Sequence, residues 1–250
     1  MVLSSALPSA TPPHTSPIAT ARHRIAVANI ATPCRVVGSN NPFVMAIQND
    51  NARKAGRIEF GAVGGGALVS IKGMQALSNV CPVTFEPHDD GERFDARMTF
   101  ETESPEAAES LVAAFTRMFL TWARIKATDL IELDMNRENV EELVNDAPGI
   151  LTLQQLTSIQ TRLVGWKKGT RRLSQRGAGG VFTTPLYLCH EVLFEDPDVL
   201  DALMRDPLGR IKIVTPTELA TTNGGQQEGR TRDGHVLFSN VFNPKFIQPL

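Results

Sequence analysis

The sequence predicts an α/β (α+β) domain, a mixed β-sheet sandwiched between helices. Three observations carry that expectation. Phe94, Ala96, Met98 and Phe100 alternate with polar residues, the period of a half-buried strand. Ser104-Pro105-Glu106 then supplies a hydroxyl cap, a proline in the first turn and an acid at the positive end of a helix dipole. The apolar residues that follow (Leu111, Val112, Phe115, Met118, Phe119, Trp122, Ile125) recur at steps of three and four, a core-facing stripe. Late in the chain Ile211-Lys212-Ile213-Val214 reads as a strand and runs straight into Thr215-Pro216-Thr217-Glu218, a capping box.

Taken in order, residues 1–40 are expected to be a flexible N-terminal arm, 41–222 the folded domain and 223–250 a C-terminal extension. Met1 to about Arg24 is rich in Ser, Thr, Ala and Pro, and no Asp or Glu precedes Asp50. An acid-free leader of this kind is compatible with organelle import, but Pro8, Pro12, Pro13 and Pro17 spoil an amphipathic helix. Phe43 to Ile47 has strand length, and Asn49-Asp50-Asn51 marks a turn. Ile58 to Val63 is a second strand running into Gly64-Gly65-Gly66, with Leu68 to Ile71 as its continuation. A helix is expected from Asn136, as N-cap, to the residues before Pro148-Gly149, and another from Leu153 to Leu163. Val181 to Phe194 is apolar, Pro197 to Met204 helical, and His235 to Phe238 a last apolar run.

Bulk properties narrow the function classes. With 250 residues, 42% of them hydrophobic, the chain can bury one sizeable core. A formal charge of −2 disfavours nucleic acid as the main partner. No run approaches the roughly 18 apolar residues of a membrane span. Cys34, Cys81 and Cys189 are too widely spaced for a zinc ribbon or a disulfide framework, so a reducing, cytoplasmic setting is the default.

The segment with the most chemistry is Asn136 to Asn145. At 100° per residue Val140, Leu143 and Val144 share one side, and Glu138, Glu141 and Glu142 fall together opposite them. Three carboxylates on adjacent turns repel unless a cation lies among them. Arg137, four residues before Glu141, is one neutraliser, and a divalent metal is another. Mg²⁺ takes a few carboxylate oxygens and completes its shell with water and substrate phosphate. Acids opposite an apolar stripe are also what any solvated amphipathic helix shows.

Arg137-Glu138-Asn139-Val140-Glu141-Glu142 resembles the helical part of the Nudix box, Arg-Glu-x-x-Glu-Glu. Gly64-Gly65-Gly66 after a strand is similar to the glycine turn of that family. Leu143-Val144-Asn145-Asp146 with Gly149-Ile150-Leu151, and the strand and helix start around Thr215, fit the same pattern, as does Asp95-Ala96-Arg97-Met98 in an insertion between glycine turn and box. The departures lie at Ala123 and Asp129, where the box has Gly and Glu, at Asn139 in place of an apolar residue, and at Val144 in place of the closing Gly. The resemblance implies a Nudix-like fold and hydrolysis of a nucleoside diphosphate derivative with Mg²⁺ or Mn²⁺. It further implies Glu138, Glu141 and Glu142 as metal ligands, with Glu138 and Glu142 leading the catalysis, Gly64, Gly65 and Gly66 at the nucleotide, and a base from a distant loop, for which Glu191 and then Glu195 are candidates. The alternative is an inactive nucleotide-binding or scaffold module that meets a protein partner through its N-terminal arm.

Other constellations are weaker. Lys167-Lys168-Gly169-Thr170-Arg171-Arg172, with Arg176, is a dense basic run that could hold nucleotide phosphates, Arg172 in particular, or be a solvated loop. Gly177-Ala178-Gly179-Gly180 matches no phosphate-binding fingerprint. Cys189-His190 on a strand would point to opposite faces and so could not easily pair as nucleophile and base. His88-Asp89-Asp90 reads as a turn.

Overall fold

The longest strand lies inside the stretch expected to be a flexible arm. The structure, a computed structural model, describes residues 20–88, 91–145, 149–174 and 180–250. Of the expected arm, residues 1–19 lie outside this set, and β1 (Ala21–Val36) takes up most of the rest as a 16-residue strand. Ile25 and Val27 are buried on one of its faces and Ile30 on the other. A strand covered on both faces loses the alternation of polar and apolar residues, and its many alanines disguise it further.

The other elements follow from local signals. β2 (Val44–Gln48) leads to α1 (Asp50–Lys54), where the Asn49 side chain caps the Ala52 N–H at 2.9 Å, and on to β3 (Glu59–Ala62). β4 (Leu68–Ser70) runs into α2 (Ile71–Ser78), and the alternating segment is split at Ala96 into β5 (Arg93–Asp95) and β6 (Arg97–Thr102). α3 (Pro105–Ile125) begins at Ser104, whose hydroxyl accepts from the Ala107 N–H at 3.1 Å. α4 (Asn136–Val140) passes into a π-helical turn over Glu141–Asn145. After α5 (Leu153–Leu156) come β7 (Ile159–Lys168), β8 (Arg172–Ser174) and β9 (Val181–Phe194). α6 (Pro197–Met204), β10 (Ile211–Val214), α7 (Pro216–Thr221), β11 (Gly229–Arg230) and β12 (Val236–Leu237) complete the order.

The α+β class holds, with the strands divided between two five-stranded mixed sheets and the small β4–β5 pair. The first sheet runs β6-β1-β9-β7, with β8 also on β9, and its β1–β9 pair is parallel. The second runs β10-β2-β3-β12-β11, with β12 parallel to β3. Successive residues of β9 serve two cores, as a period of two requires. Leu186 and Leu188 pack with Val112, Phe115 and Phe119 of α3, whereas Tyr187 and Cys189 face Val44, Phe60 and Leu237 of the second sheet. A third cluster joins Ala31 and Cys34 of β1 to Met45, Met135, Leu143, Phe194 and Leu203, and so seats α4 and α6.

Four expectations change. The helix expected over Leu153 to Leu163 stops at Leu156, because Ile159, Thr161 and Leu163 alternate with Gln160 and Arg162 and pair with β9. Residues 223–250 are no appendage: β11 and β12 extend the second sheet, and Trp166 and Gln248 exchange two backbone hydrogen bonds of 2.9 Å. Ile125, at the end of the α3 stripe, is 65% exposed. Much of the basic run is strand, with Lys167 and Lys168 in β7 and Arg172 in β8, while Arg176 and residues 177–179 lie outside the described set.

Phe115 is fully buried between α3 and the first sheet, so Phe115→Ala should lower unfolding free energy by about 3–5 kcal/mol. Ile125→Ala on the same helix should change it by no more than about 0.5 kcal/mol. Urea unfolding midpoints of the two variants measure the difference.

Candidate functional site

The glycine turn is laid along β1 by backbone hydrogen bonds. Ala31 N–H donates to the Val63 carbonyl at 2.8 Å, Asn29 N–H to that of Gly65 at 3.0 Å, and Ala67 N–H to that of Val27 at 3.0 Å. Two of the three glycines make close approaches, and Gly64 is sterically required. Gly64 has φ of 121°, and a Cβ there would overlap the Asn29 carbonyl. A Cβ on Gly65 would overlap the Glu138 carboxylate, so the turn and the acidic helix touch.

The three glutamates do not form one open face. Glu138 is turned inward and is only 6% exposed, beside the equally buried Asn139. Glu142 is half-buried and accepts the Gly64 N–H at 2.8 Å, while Glu141 stays outside. The π turn at Glu141 changes the rotation per residue, which is why a uniform 100° wheel misplaces the set. The N-cap also moves: Asn136 is the first helical residue, and its N–H is accepted by the Asp134 carboxylate at 2.9 Å.

Arg137 organises the cluster. Its guanidinium donates to both Glu132 oxygens at 3.1 and 2.9 Å, to both Glu141 oxygens at 3.2 and 3.0 Å, and to the Gly66 carbonyl at 2.7 Å. It also pairs with Glu138 at 2.5 Å. Burial works against its charge, yet its hydrogen bonds to Glu132 and the charges of Glu138, Glu132 and Glu141 outweigh this and hold its pKa above the ordinary value. Glu138 shifts upward too, because burial penalises its charge more than a shared arginine relieves it.

Beneath the turn runs a buried polar relay. His190 Nε2 donates to Asn29 Oδ1 at 3.0 Å, and Asn29 Nδ2 donates to the Glu132 carbonyl at 3.3 Å. Burial lowers the His190 pKa to about 4, against an opposing pull from Asp134. Cys189, its neighbour, is buried on the other face with its pKa raised to about 12 by burial, so the two do not meet.

A cavity of about 270 Å³ opens beside Glu142, with Gly64, Gln48, Asp50, Phe238 and Asn240 among its walls. The remaining expected residues stand elsewhere. Glu191 is held by Arg35 and Arg162 at 2.8 and 2.7 Å and lines a separate cavity of about 180 Å³, so it does not stand with Glu142 as a base. Glu195 accepts from Gln160, and Asp129 faces Lys72 at 3.7 Å. Arg172 faces Glu228 at 3.9 Å rather than the glycine turn. Residues 89 and 90 lie outside the described set. Sequence reading missed Asn29, whose partners are remote along the chain, Glu132, and Phe238 and Asn240, which lie in the supposed extension. Only Glu132, an acid five residues before Arg137, carried a local signal.

The cluster is rich in oxygen donors of the kind a divalent cation takes. Glu132, Glu138, Glu141 and Glu142 supply four carboxylates against the single Arg137 guanidinium, and the buried member is left under-compensated. Among the described residues no three His, Cys, Asp or Glu side chains form a ready-made cage. An ion here would therefore complete its shell with water and ligand oxygens, the habit of Mg²⁺. Comparisons with protein-family models, with curated proteins and with solved structures find no match to this chain.

Gly65→Ala forces Glu138 off its seat and should destabilise the fold by about 1–3 kcal/mol, whereas Gly91→Ala, with open space around it, tests only the backbone effect of a positive φ. Thermal unfolding of both variants separates overlap from backbone strain. The His190 shift gives a second expectation. Between about pH 6.5 and 4 the unfolded chain binds a proton that the folded chain refuses, so stability falls as pH falls through this window. The His190 share is on the order of 3 kcal/mol, and it should vanish in His190→Gln, which keeps a donor for Asn29 without titrating. Denaturant midpoints from pH 7 to 4 read the difference.

Proposed function

We propose that this chain is a Nudix-type hydrolase that cleaves a nucleoside diphosphate derivative with the help of Mg²⁺ or Mn²⁺. One observation carries the reading: the Gly64–Gly66 turn and the Arg137–Glu142 helix, far apart in sequence, are in contact at the edge of a polar cavity. Glu138 and Glu142 would hold the cation, with Glu141 at the rim, and the cation would offset charge growing on the phosphoryl oxygens and polarise the attacking water. Gly64 N–H fixes one Glu142 oxygen through its 2.8 Å bond. Arg137 keeps the Glu138 carboxylate oriented through their ion pair.

A second reading is favoured by the same guanidinium. Arg137 engages Glu132, Glu138 and Glu141 together, which can close the cluster without a metal, and the module would then bind a nucleotide or partner without turning it over. Purified protein with Mg²⁺ or Mn²⁺ and a panel of ADP-ribose, dinucleotides and nucleoside triphosphates separates the two. Turnover that falls by about 100-fold or more in Glu142→Gln and in Glu138→Gln supports the hydrolase. No turnover on the panel, with Mn²⁺ relaxation signals identical in wild type and variants, supports the module.

A further inference from the structure

We infer that Phe238 and Asn240 form a nucleobase subsite, with the base stacked on the Phe238 ring and an acceptor on its edge met by the Asn240 amide N–H. The inference rests on the phosphate-side reading of Glu142, since both ends belong to one cavity.

The parallel pairing of β12 with β3 delivers these residues to the cavity that Glu142 also lines. Phe238 N–H donates to the Phe60 carbonyl at 2.8 Å, which fixes the backbone beside Gly61. Because residue 61 is glycine, nothing stands between β3 and the ring: a Cβ there would meet Phe238 Cδ2 at 3.4 Å. The ring is half-buried and lines the cavity, and base–aromatic stacking suits any π-face.

Asn240 adds direction. Its Oδ1 accepts the Ala62 N–H at 3.2 Å, so the amide orientation is set and Nδ2 is left as the donor, with no partner among the described residues. Gln48, which stands across from Phe60 in the β2–β3 register, brings a second side-chain amide to the same cavity. Asp50 also faces it. Its carboxylate is paired with Lys54 and Arg53, which hold its pKa below the ordinary value. A neutral, planar, acceptor-bearing group suits the Phe238 end, and the phosphates belong at the Gly64–Glu142 end. The volume of about 270 Å³ is near the lower edge for ligand pockets, room for one nucleoside with the rest of the molecule outside.

The test is calorimetric binding in Ca²⁺ of ADP, GDP, UDP and CDP, with inorganic pyrophosphate as the base-free probe. Phe238→Leu should weaken nucleoside diphosphates about tenfold and leave pyrophosphate unchanged. Asn240→Asp keeps an acceptor for Ala62 N–H but removes the donor, so preference should move about tenfold from UDP toward ADP, CDP and GDP, whose bases carry an exocyclic amino group. Equal losses for pyrophosphate and nucleotides, a change under twofold in both variants, or no nucleotide binding by wild type overturns the subsite. Base-dependent binding without turnover of any diphosphate keeps the subsite and ends the hydrolase reading. Turnover of a base-free diphosphate that ignores Phe238→Leu does the reverse.

Discussion

The Arg137 guanidinium ties together three parts of the chain that share no sequence neighbourhood. It holds Glu132 before the helix, Glu138 and Glu141 within it, and the Gly66 carbonyl from the turn after β3. Removing it would leave buried Glu138 and Glu132 without a counter-charge, the situation in which broken ion pairs cost about 3–5 kcal/mol. The cluster also depends on what lies below. β1 supplies the hydrogen bonds that seat the glycine turn, and Asn29 links β1 to Glu132 on one side and to His190 of β9 on the other. The site is therefore built on the parallel β1–β9 pair at the centre of the first sheet, not on a surface helix.

Legibility in the sequence followed the locality of each signal. α3 and α7 were readable to within a residue or two because caps and stripes act within one or two turns. The Thr215–Glu218 capping box forms as expected, with the Glu218 carboxylate accepting the Thr215 N–H at 2.9 Å. β1 was not readable, because its neighbours are β6 and β9, far along the chain, and both of its faces are covered. β12 was hidden by brevity: two residues paired with β3 give no period to detect.

The acidic helix was half legible. Its residue types and the company of the glycine turn singled out two segments, and the structure brings both together. Its geometry was not legible, since the π turn rotates Glu142 toward Gly64 while Glu138 sinks against Gly65. The base candidate failed for a different reason. Glu191 sits on β9, the same strand as His190, but alternation sends its carboxylate to Arg35 and Arg162.

Electrostatics gives the cluster a preferred reading. Glu141 is nearly half exposed and loses little by being shared, and Glu142 is compensated by the Gly64 N–H. Glu138 is buried at 6% exposure with an upward-shifted pKa, so in isolation it works against the fold. A purely structural helix would gain from an apolar residue at that position, because a buried ion pair seldom outperforms well-packed hydrophobic side chains. Here the Arg137 guanidinium is the counter-charge that keeps the carboxylate in place. A Cβ at position 65 would overlap that carboxylate, and Glu142, four residues beyond Glu138, lines the cavity it shares with Phe238.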